Sequence, residues 1–398
     1  LEFTTARQEG KFISTGSCET PLALLAGFGD FVHLGGEPYG GAIAGNGDFA
    51  VACLEEVESR GYERDFCTYL RNYWGSMFLD RYFLGGPFPK PDFCFSICGC
   101  DSHHKCFQVI SEHFHIPFFG MDLPIGYEPG EREGLKIRYD ANQMHEAIEK
   151  LAGFTGRQFD DEKMLQALEN ECQTQSIMAQ VCLLNQTIPA PLDEKSMFSI
   201  FVVANLIRHQ KEGVEFARLL RDEIKERVAR GIAALATERC RLVGDGQPPW
   251  YNLKLYRYLE TYGVLSVGCL HTFGLASALV EGEGGHFIAP IPPSEAGISF
   301  KDRDEALMFI AAWYRRRVFN SSMGALPRRQ AHLLTLVRDW QADGVMMLLN
   351  RGCPGYTLGN MELKPLLQEK GIAAVTYEGS MADRREFSPT QVTARFAS

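Results

Sequence analysis

Residues 343–383 read DGVMMLLNRGCPGYTLGNMELKPLLQEKGIAAVTYEGSMAD, and residues 91–124 read PDFCFSICGCDSHHKCFQVISEHFHIPFFGMDLP. Each stretch predicts the same order of elements: a short apolar strand, a cysteine, a helix, a second strand and an acidic turn. The two cysteines, Cys353 and Cys100, stand at the carboxyl end of the first strand, just before the helix. Open parallel sheets bind ligands at that edge. The repeat therefore predicts an α/β fold in which two βαβ units bring their cysteines to a shared cleft.

The remaining sequence predicts two such α/β parts separated by helices. Residues 1–138 alternate between helical and strand patterns, and residues 241–398 return to that alternation. Between them, residues 139–240 carry apolar side chains at spacings of three and four, which is typical of amphipathic helices. We therefore predict two Rossmann-like or flavodoxin-like parallel-sheet domains with a helical insertion. The first domain contains Cys67 and Cys100, and the last contains Cys353.

Composition excludes several classes of protein. The chain has 398 residues, 23% of them charged, and a net charge of −10. This net charge argues against a broad nucleic-acid footprint, which needs a basic face, and against binding to anionic membranes. No apolar run approaches the roughly 20 residues that span a bilayer. The polar start, Leu1–Gly10, lacks the apolar core of a signal peptide. We expect a cytoplasmic protein that binds neither nucleic acid nor membrane.

Twelve cysteines need an explanation in such a chain. Disulfide frameworks belong to small secreted domains, so metal ligation, catalysis or plain burial are the alternatives in a reducing compartment. Burial as small apolar side chains is the default. We assign that role to six of them: Cys94, Cys98, Cys106, and, within predicted helices, Cys172, Cys182 and Cys240.

Cys67, Cys100 and Cys353 are different because of where they stand. Cys67 lies in RGYERDFCTYLRNYWG (residues 60–75), immediately before a predicted helix, as the other two do. Iron–sulfur clusters need thiolate ligands, and helix N-termini favour such an anionic group. The chain lacks both the compact cysteine run of ferredoxins and the paired CxxC elements of zinc ribbons. A cluster would therefore have to be assembled from cysteines that are far apart in the sequence.

These stretches resemble the family of 2-hydroxyacyl-CoA dehydratases and ATP-dependent benzoyl-CoA reductases. The strongest agreement is in GYERDFCTYLRNYWG around Cys67, ICGCDSHHKCFQVI around Cys100, and residues 341–396 around Cys353. Weaker agreement runs through ARQEGKFISTGSCETPLALLAGFG near the start and NSSMGALPRR before Gln330. The resemblance covers nearly the whole chain.

The resemblance implies a cofactor, a reaction and partners. Cys67, Cys100 and Cys353 would ligate a [4Fe-4S] cluster at the interface of the two sheet domains. An ATP-hydrolysing iron–sulfur activator would supply one electron for ketyl radical chemistry on an acyl-CoA thioester. A homologous cluster-bearing subunit would complete a heterodimer, with a homodimer as the alternative. The chain has no Walker-type phosphate loop, so ATP hydrolysis is assigned to the partner.

Three alternatives remain open on this sequence. The residues around Cys67 and the lack of further cysteines near Asn320 resemble the larger cluster-bearing subunit of benzoyl-CoA reductase more than the other branches. A 2-hydroxyacyl-CoA dehydratase subunit is the first alternative. A branch with a double-cubane cluster, acting in electron transfer or reduction, is a further one: Cys18, and loosely Cys269, match its extra cysteines. That branch has a cysteine pair where this chain has Asn320, Ser321 and Ser322. A ligand-binding α/β protein with no catalytic role, whose cysteines are merely buried, is the non-enzymatic alternative.

Most of the remaining polar and aromatic residues are assigned structural roles, and two serines are the exception. Ser321 and Ser322 are candidates for a substrate pocket. We expect His103 and His104 to be exposed residues of a first helical turn rather than metal ligands. The basic run Arg315–Arg317 is expected on a solvated helix face rather than on CoA phosphates. Aromatic side chains that follow Cys67 at helical spacing are expected to be core, with a dry lining of the cluster as the alternative: Tyr69, Tyr73 and Trp74.

Overall fold

Two four-stranded sheets form the framework of the computed structural model, which describes residues 2–124, 126, 130–322 and 326–397. All pairings within both sheets are parallel. The first sheet has the order β2-β1-β3-β4 and the second the order β10-β9-β5-β6, and β7 and β8 make a short antiparallel hairpin. The strands are β1 Phe12–Gly16, β2 Phe31–Gly35, β3 Phe93–Cys98, β4 Phe118–Asp122, β5 Cys240–Gly244, β6 Val264–Cys269, β7 Val280–Glu281, β8 Phe287–Ile288, β9 Gly344–Asn350 and β10 Ala373–Gly379. The predicted α/β class with two parallel sheets is confirmed.

The helices surround both sheets. Among the described residues, no helix combines the length and the apolar character needed to cross a membrane. The helices before β5 are α1 Glu2–Thr5, α2 Leu22–Ala26, α3 Gly36–Ala44, α4 Gly47–Ser59, α5 Thr68–Phe78, α6 Asp101–Phe114, α7 Glu131–Thr155, α8 Asp161–Leu184, α9 Glu194–Ile207 and α10 Lys211–Ala229. Those after it are α11 Lys254–Glu260, α12 Leu270–Ala276, α13 Arg303–Arg316, α14 Val318–Ser322, α15 Leu326–Asp339, α16 Pro354–Thr357, α17 Asn360–Glu369 and α18 Pro389–Ala397.

The two sheets share one connectivity. When the strands of each sheet are numbered from one to four along the chain, both sheets have the order 2-1-3-4, the second one read from the β6 edge. The strand order reverses between β1 and β3 in the first sheet and between β5 and β9 in the second. The repeated sequence segments form the βαβ units β3-α6-β4 and β9-α16-α17-β10, as their pattern predicts. In open parallel sheets, the crevice for ligands opens at the carboxyl edge, where the strand order reverses. The sheets therefore offer two comparable edges, one after β3 and one after β9.

Helix α8 belongs to the cores of both sheets. Asp160 caps its start by accepting from the backbone N–H groups of Glu162 at 3.0 Å and Lys163 at 3.2 Å. Side chains in its first half, such as Leu168, pack with the first sheet, and those in its second half, such as Val181, pack with the second. The helical segment thus joins the two α/β parts. The boundaries of the proposed domains, 1–138, 139–240 and 241–398, stay a prediction.

The basic run at the end of α13 is mostly buried. Arg315 is 4% and Arg317 is 1% exposed, and only Arg316 lies at the surface. The predicted solvated face is therefore wrong for two of the three residues, and neither is free for a CoA phosphate. Carboxylates from distant segments neutralise them. Arg315 pairs with Glu133 and with Asp140 at 3.2 Å, and Arg317 pairs with Glu19.

Asp140 makes stability depend on pH. Burial raises the pKa of Asp140 to about 7 although Arg315 opposes the shift. The folded protein therefore holds a proton on Asp140 that the unfolded chain has already lost above about pH 4, so stability falls as pH rises toward 7. In Asp140→Asn this fall disappears. Between pH 4 and 8 the free energy of unfolding of the wild type should drop by about 2–4 kcal/mol relative to the variant, measured by denaturant titration. Parallel pH profiles would contradict the assignment.

Candidate functional site

One cavity of about 660 Å³ lies where loops of both halves of the chain meet, and four cysteines line it. Cys67, Cys100 and Cys353 are three of them. They are separated by up to 286 positions in the sequence, yet the fold brings them to one space. The cavity is within the range of size that small-molecule sites have. The placement matches the shared cleft that the sequence predicts.

Each of these cysteines ends a loop and directly precedes a helix. Cys67 precedes α5, Cys100 follows β3 and precedes α6, and Cys353 follows β9 and precedes α16. The strands and helices of the two βαβ units therefore fix two of the thiols, and the start of α5 fixes the third.

The loops of Cys353 and Cys67 touch through their main chains. Gly352 has φ +78°, a conformation that favours glycine, and a Cβ there would lie 2.7 Å from the carbonyl oxygen of Phe66. The neighbouring side chain of Arg351 pairs with Asp65. Only glycine at position 352 allows this approach.

The thiols influence each other electrostatically. Burial raises the pKa of Cys67 well above its ordinary value, and the neighbouring Cys353 and Cys100 raise it further. Burial also raises the pKa of Cys353, against a hydrogen bond that Nε2 of Gln247 donates to its sulfur at 3.2 Å. Negative charge on the sulfurs of Cys67 and Cys353 is thus unfavourable unless a cation compensates it. The arrangement suits a metal group that takes thiolates as ligands.

A buried histidine sets Cys100 apart. Burial would raise the pKa of Cys100, but His103 outweighs it and lowers the pKa. His103 forms a close pair with Glu37, whose other carboxylate oxygen accepts from the backbone N–H of Cys18 at 2.9 Å. Burial opposes protonation of His103, yet Glu37 and Cys100 raise its pKa well above the usual value. The expectation of an exposed first turn is wrong for His103 and right for His104, because Glu37, 66 positions away, supplies the partner that burial requires.

A second group of polar side chains holds the loop after Cys353. Arg329 forms a buried ion pair with Asp245, which follows β5. Its guanidinium also donates to the carbonyl oxygen of Leu358 at 2.9 Å and to Asn360 Oδ1 at 2.7 Å. Gln247, near Asp245 in the chain, donates to the Cys353 sulfur. Sequence reasoning missed these residues, since the Arg329–Asp245 and Gln247–Cys353 contacts span 84 and 106 positions.

Aromatic side chains line much of the remaining wall. Tyr69 faces the cavity and accepts a hydrogen bond from the indole of Trp250, which lines it too. Tyr73 and Trp74 are fully buried in the core beside the first sheet. The expectation of core packing is therefore confirmed for all three residues, and Tyr69 also lines the cavity. Further aromatic residues on the wall are Phe198, His271, Phe319 and Tyr356.

The other predicted residues are divided between cavity and core. Cys18 and Ser322 line the cavity, and Ser321 does not. Cys269 is buried and accepts from the backbone N–H of Thr272 at 3.1 Å, away from the lining. The cysteines expected to be packing residues are buried, except that Cys240 is half-buried and begins strand β5 instead of lying in a helix: Cys94, Cys98, Cys106, Cys172 and Cys182. Residues 323–325 of the NSSMGALPRR segment lie outside the described residues.

The donors that line the cavity include the sulfurs of Cys67, Cys100 and Cys353. Thiolates are the ligand type that an iron–sulfur cluster takes. Within residues 2–124, 126, 130–322 and 326–397, no three His, Cys, Asp or Glu side chains are arranged to hold one metal ion.

Comparison with known proteins agrees with the motifs. The profile of the family described as "2-hydroxyglutaryl-CoA dehydratase, D-component" matches residues 19–398. The (R)-phenyllactyl-CoA dehydratase alpha subunit of Clostridium sporogenes is 25% identical over 366 residues, covering 90% of this chain and 82% of that protein. The alpha subunit of (R)-2-hydroxyglutaryl-CoA dehydratase from Acidaminococcus fermentans is 26% identical over 313 residues, 77% and 59% of the two chains. A benzoyl-CoA reductase subunit of Thauera aromatica is 22% identical over 357 residues, 87% and 78%. The chain therefore belongs to the 2-hydroxyglutaryl-CoA dehydratase D-component family, whose relatives include both dehydratase and reductase subunits.

Proposed function

We propose that this chain is the [4Fe-4S] subunit of an enzyme that performs one-electron chemistry on acyl-CoA thioesters. The observation that carries the proposal is the meeting of Cys67, Cys100 and Cys353 on one cavity. Family membership supports an enzyme subunit, because its relatives are named as dehydratase and reductase subunits. Benzoyl-CoA reduction and 2-hydroxyacyl-CoA dehydration both remain candidates for the reaction.

The cysteines would hold the cluster, and their neighbours would tune it. When bound, such a cluster supplies an electron and an open iron that polarises a thioester oxygen as a Lewis acid. The Gln247 amide donates to the sulfur of Cys353, which stabilises negative charge there. His103, protonated beside Glu37, does the same for Cys100.

The walls would bind the acyl group and keep water out. Tyr69, Trp250 and Phe319 give the cavity an apolar surface suited to an acyl or aryl chain. Excluding water strengthens the electrostatic interactions inside and protects reactive species. Ser322 and Glu37 are among the polar residues that line the same space.

We assign two partners to the chain. The relatives are each named as one subunit of a larger enzyme, which supports a homologous second subunit in a heterodimer, with a homodimer as the alternative. An ATP-hydrolysing iron–sulfur activator would deliver the electron, since this chain has no phosphate-binding loop of the Walker type.

Iron content and substrate range test the proposal. Anaerobically purified protein should be brown, absorb broadly near ~400 nm and hold about four iron atoms per chain. About eight iron atoms would indicate the double cubane, for which Cys18 on the cavity is the supporting observation. The complex with its second subunit and activator is then assayed with benzoyl-CoA and with 2-hydroxyacyl-CoA thioesters. Colourless protein without iron, or a complete complex inactive on every thioester, would refute the proposal.

A further inference from the structure

Three polar side chains lead from the cavity wall toward the protein surface. Ser322, at the end of α14, lines the cavity, and its hydroxyl oxygen lies 2.7 Å from Nδ1 of His332 on α15. The other ring nitrogen of His332, Nε2, is 3.7 Å from a carboxylate oxygen of Glu281 at the end of β7. The three residues come from separate elements and are ordered in space from inside to outside.

Burial changes steeply along this row. Ser322 is 4% exposed and His332 is 2% exposed, whereas the side chain of Glu281 is 40% exposed. Nε2 of His332 is buried and forms no hydrogen bond with the described part of the chain. Glu281 is therefore exposed to solvent, Ser322 lines the cavity, and the buried side chain of His332 lies between them.

The surroundings keep His332 neutral. Burial, reinforced by Arg328, lowers the pKa of His332 to about 4. Arg328 stands one turn earlier on α15 and forms an ion pair with Glu281 at 2.9 Å, which fixes the carboxylate near the ring. Phe287 of β8 packs its ring 5.5 Å from the imidazole. A neutral imidazole can accept a proton at one nitrogen while it donates one from the other.

We propose that Ser322, His332 and Glu281 form a path that moves protons between the cavity and solvent. Inward, the O–H bond of Ser322 breaks as its proton passes to the bound substrate, and the Nδ1–H proton of His332 replaces it. Nε2 then takes one proton from a hydronium ion or buffer acid at the Glu281 carboxylate, which leaves the ring neutral with its proton on Nε2. Outward, the same steps run in reverse and return the ring proton to Nδ1, so one inward and one outward transfer together restore the starting state, and no electron moves. The inference rests on the proposed function, because reduction and dehydration in a water-poor cavity both require protons to enter or leave.

A substitution at His332 separates proton transfer from structure. Asn in His332→Asn retains a polar group that can bond to Ser322 but cannot relay a proton. In the reconstituted complex we expect His332→Asn and Ser322→Ala to lower kcat about 100-fold, with KM and iron content unchanged. The control is Thr335→Val on the same helix, since the Thr335 hydroxyl bonds to Gly285 outside the cavity lining. A His332→Asn enzyme with the wild-type kcat would overturn the proposal.

A second measurement does not depend on turnover. In protein labelled with ¹⁵N-histidine, the ring N–H of His332 should exchange quickly with water despite its burial, and Glu281→Gln should slow that exchange. A ring proton that stays protected in the wild type would refute the path even in an active enzyme. If the wild-type complex turns over no thioester, the proposed function fails, and the exchange rates alone decide whether the path exists.

Discussion

Cys353→Ala is expected to remove both the iron and the activity while leaving the protein folded. Cys353 is one of the three cavity cysteines proposed as ligands, so its loss would leave two of them for a group that needs at least three. Its side chain is half-buried at the carboxyl edge of the second sheet, and the hydrogen bond that it loses is to Gln247. The variant should be colourless, contain almost no iron and show no turnover, with the circular dichroism of the wild type.

The matched control is Cys240→Ala. Cys240 is also half-buried and also belongs to the second sheet, but it begins β5, away from the cavity lining. It should retain full iron and full activity. Wild-type iron content in Cys353→Ala would rule out this cysteine as a ligand, and equal iron loss in both variants would indicate a general effect on the sheet.

Glu171→Gln is expected to destabilise the fold strongly, and it leaves Cys67, Cys100 and Cys353 unchanged. Glu171 on α8 forms a buried ion pair with Arg208 at 2.9 Å, and Arg208 also donates to the carbonyl oxygen of Thr20 at 2.6 Å. Burial would raise the pKa of Glu171, but Arg208 and Tyr314 hold it below the usual value. Neutral Gln would leave the guanidinium buried without a counter-charge. We expect the free energy of unfolding to fall by about 3–5 kcal/mol, measured by anaerobic urea titration.

Two further variants identify the charge as the cause. Replacing both members, in Glu171→Met with Arg208→Met, should recover much of the loss, because no unpaired charge then remains. Asp304→Asn, which breaks the exposed pair with Arg138, should leave the midpoint nearly unchanged. A Glu171→Gln protein as stable as the wild type would show that the buried pair contributes nothing.

The sequence reveals the strands that surround the cysteines but hides those at the start of the chain. β3 and β9 are runs of mainly apolar residues with a cysteine shortly after them, the pattern of a strand buried on both faces. β1 is equally buried, yet it reads FISTG. Ser14 and Thr15 are satisfied there by His33 and by the carbonyl oxygen of Leu34 on β2. Hydrophobic pattern cannot detect a strand whose polar residues find their partners only in the finished sheet.

The same limit applies to the site. The three cysteines can be predicted because thiols before helices and the family motifs mark them in the sequence. Arg329, His103 and His332 were missed or misplaced, since each is buried beside a partner from another element of the fold: Asp245, Glu37 and Ser322, respectively. Ser322 was predicted as a pocket residue, but no pattern in the chain indicates the histidine behind it.

Gly352 has a consequence for how the protein can vary. The loops of Cys353 and Cys67 contact each other through the backbone of Gly352 and the backbone of Phe66. Gly352 has no side chain that a substitution could shorten or reshape. Substitutions elsewhere in the two halves need not be matched by a side chain across this contact, because only main-chain atoms form it. The tolerance ends at residue 352 itself, where even one methyl group would wedge the halves apart.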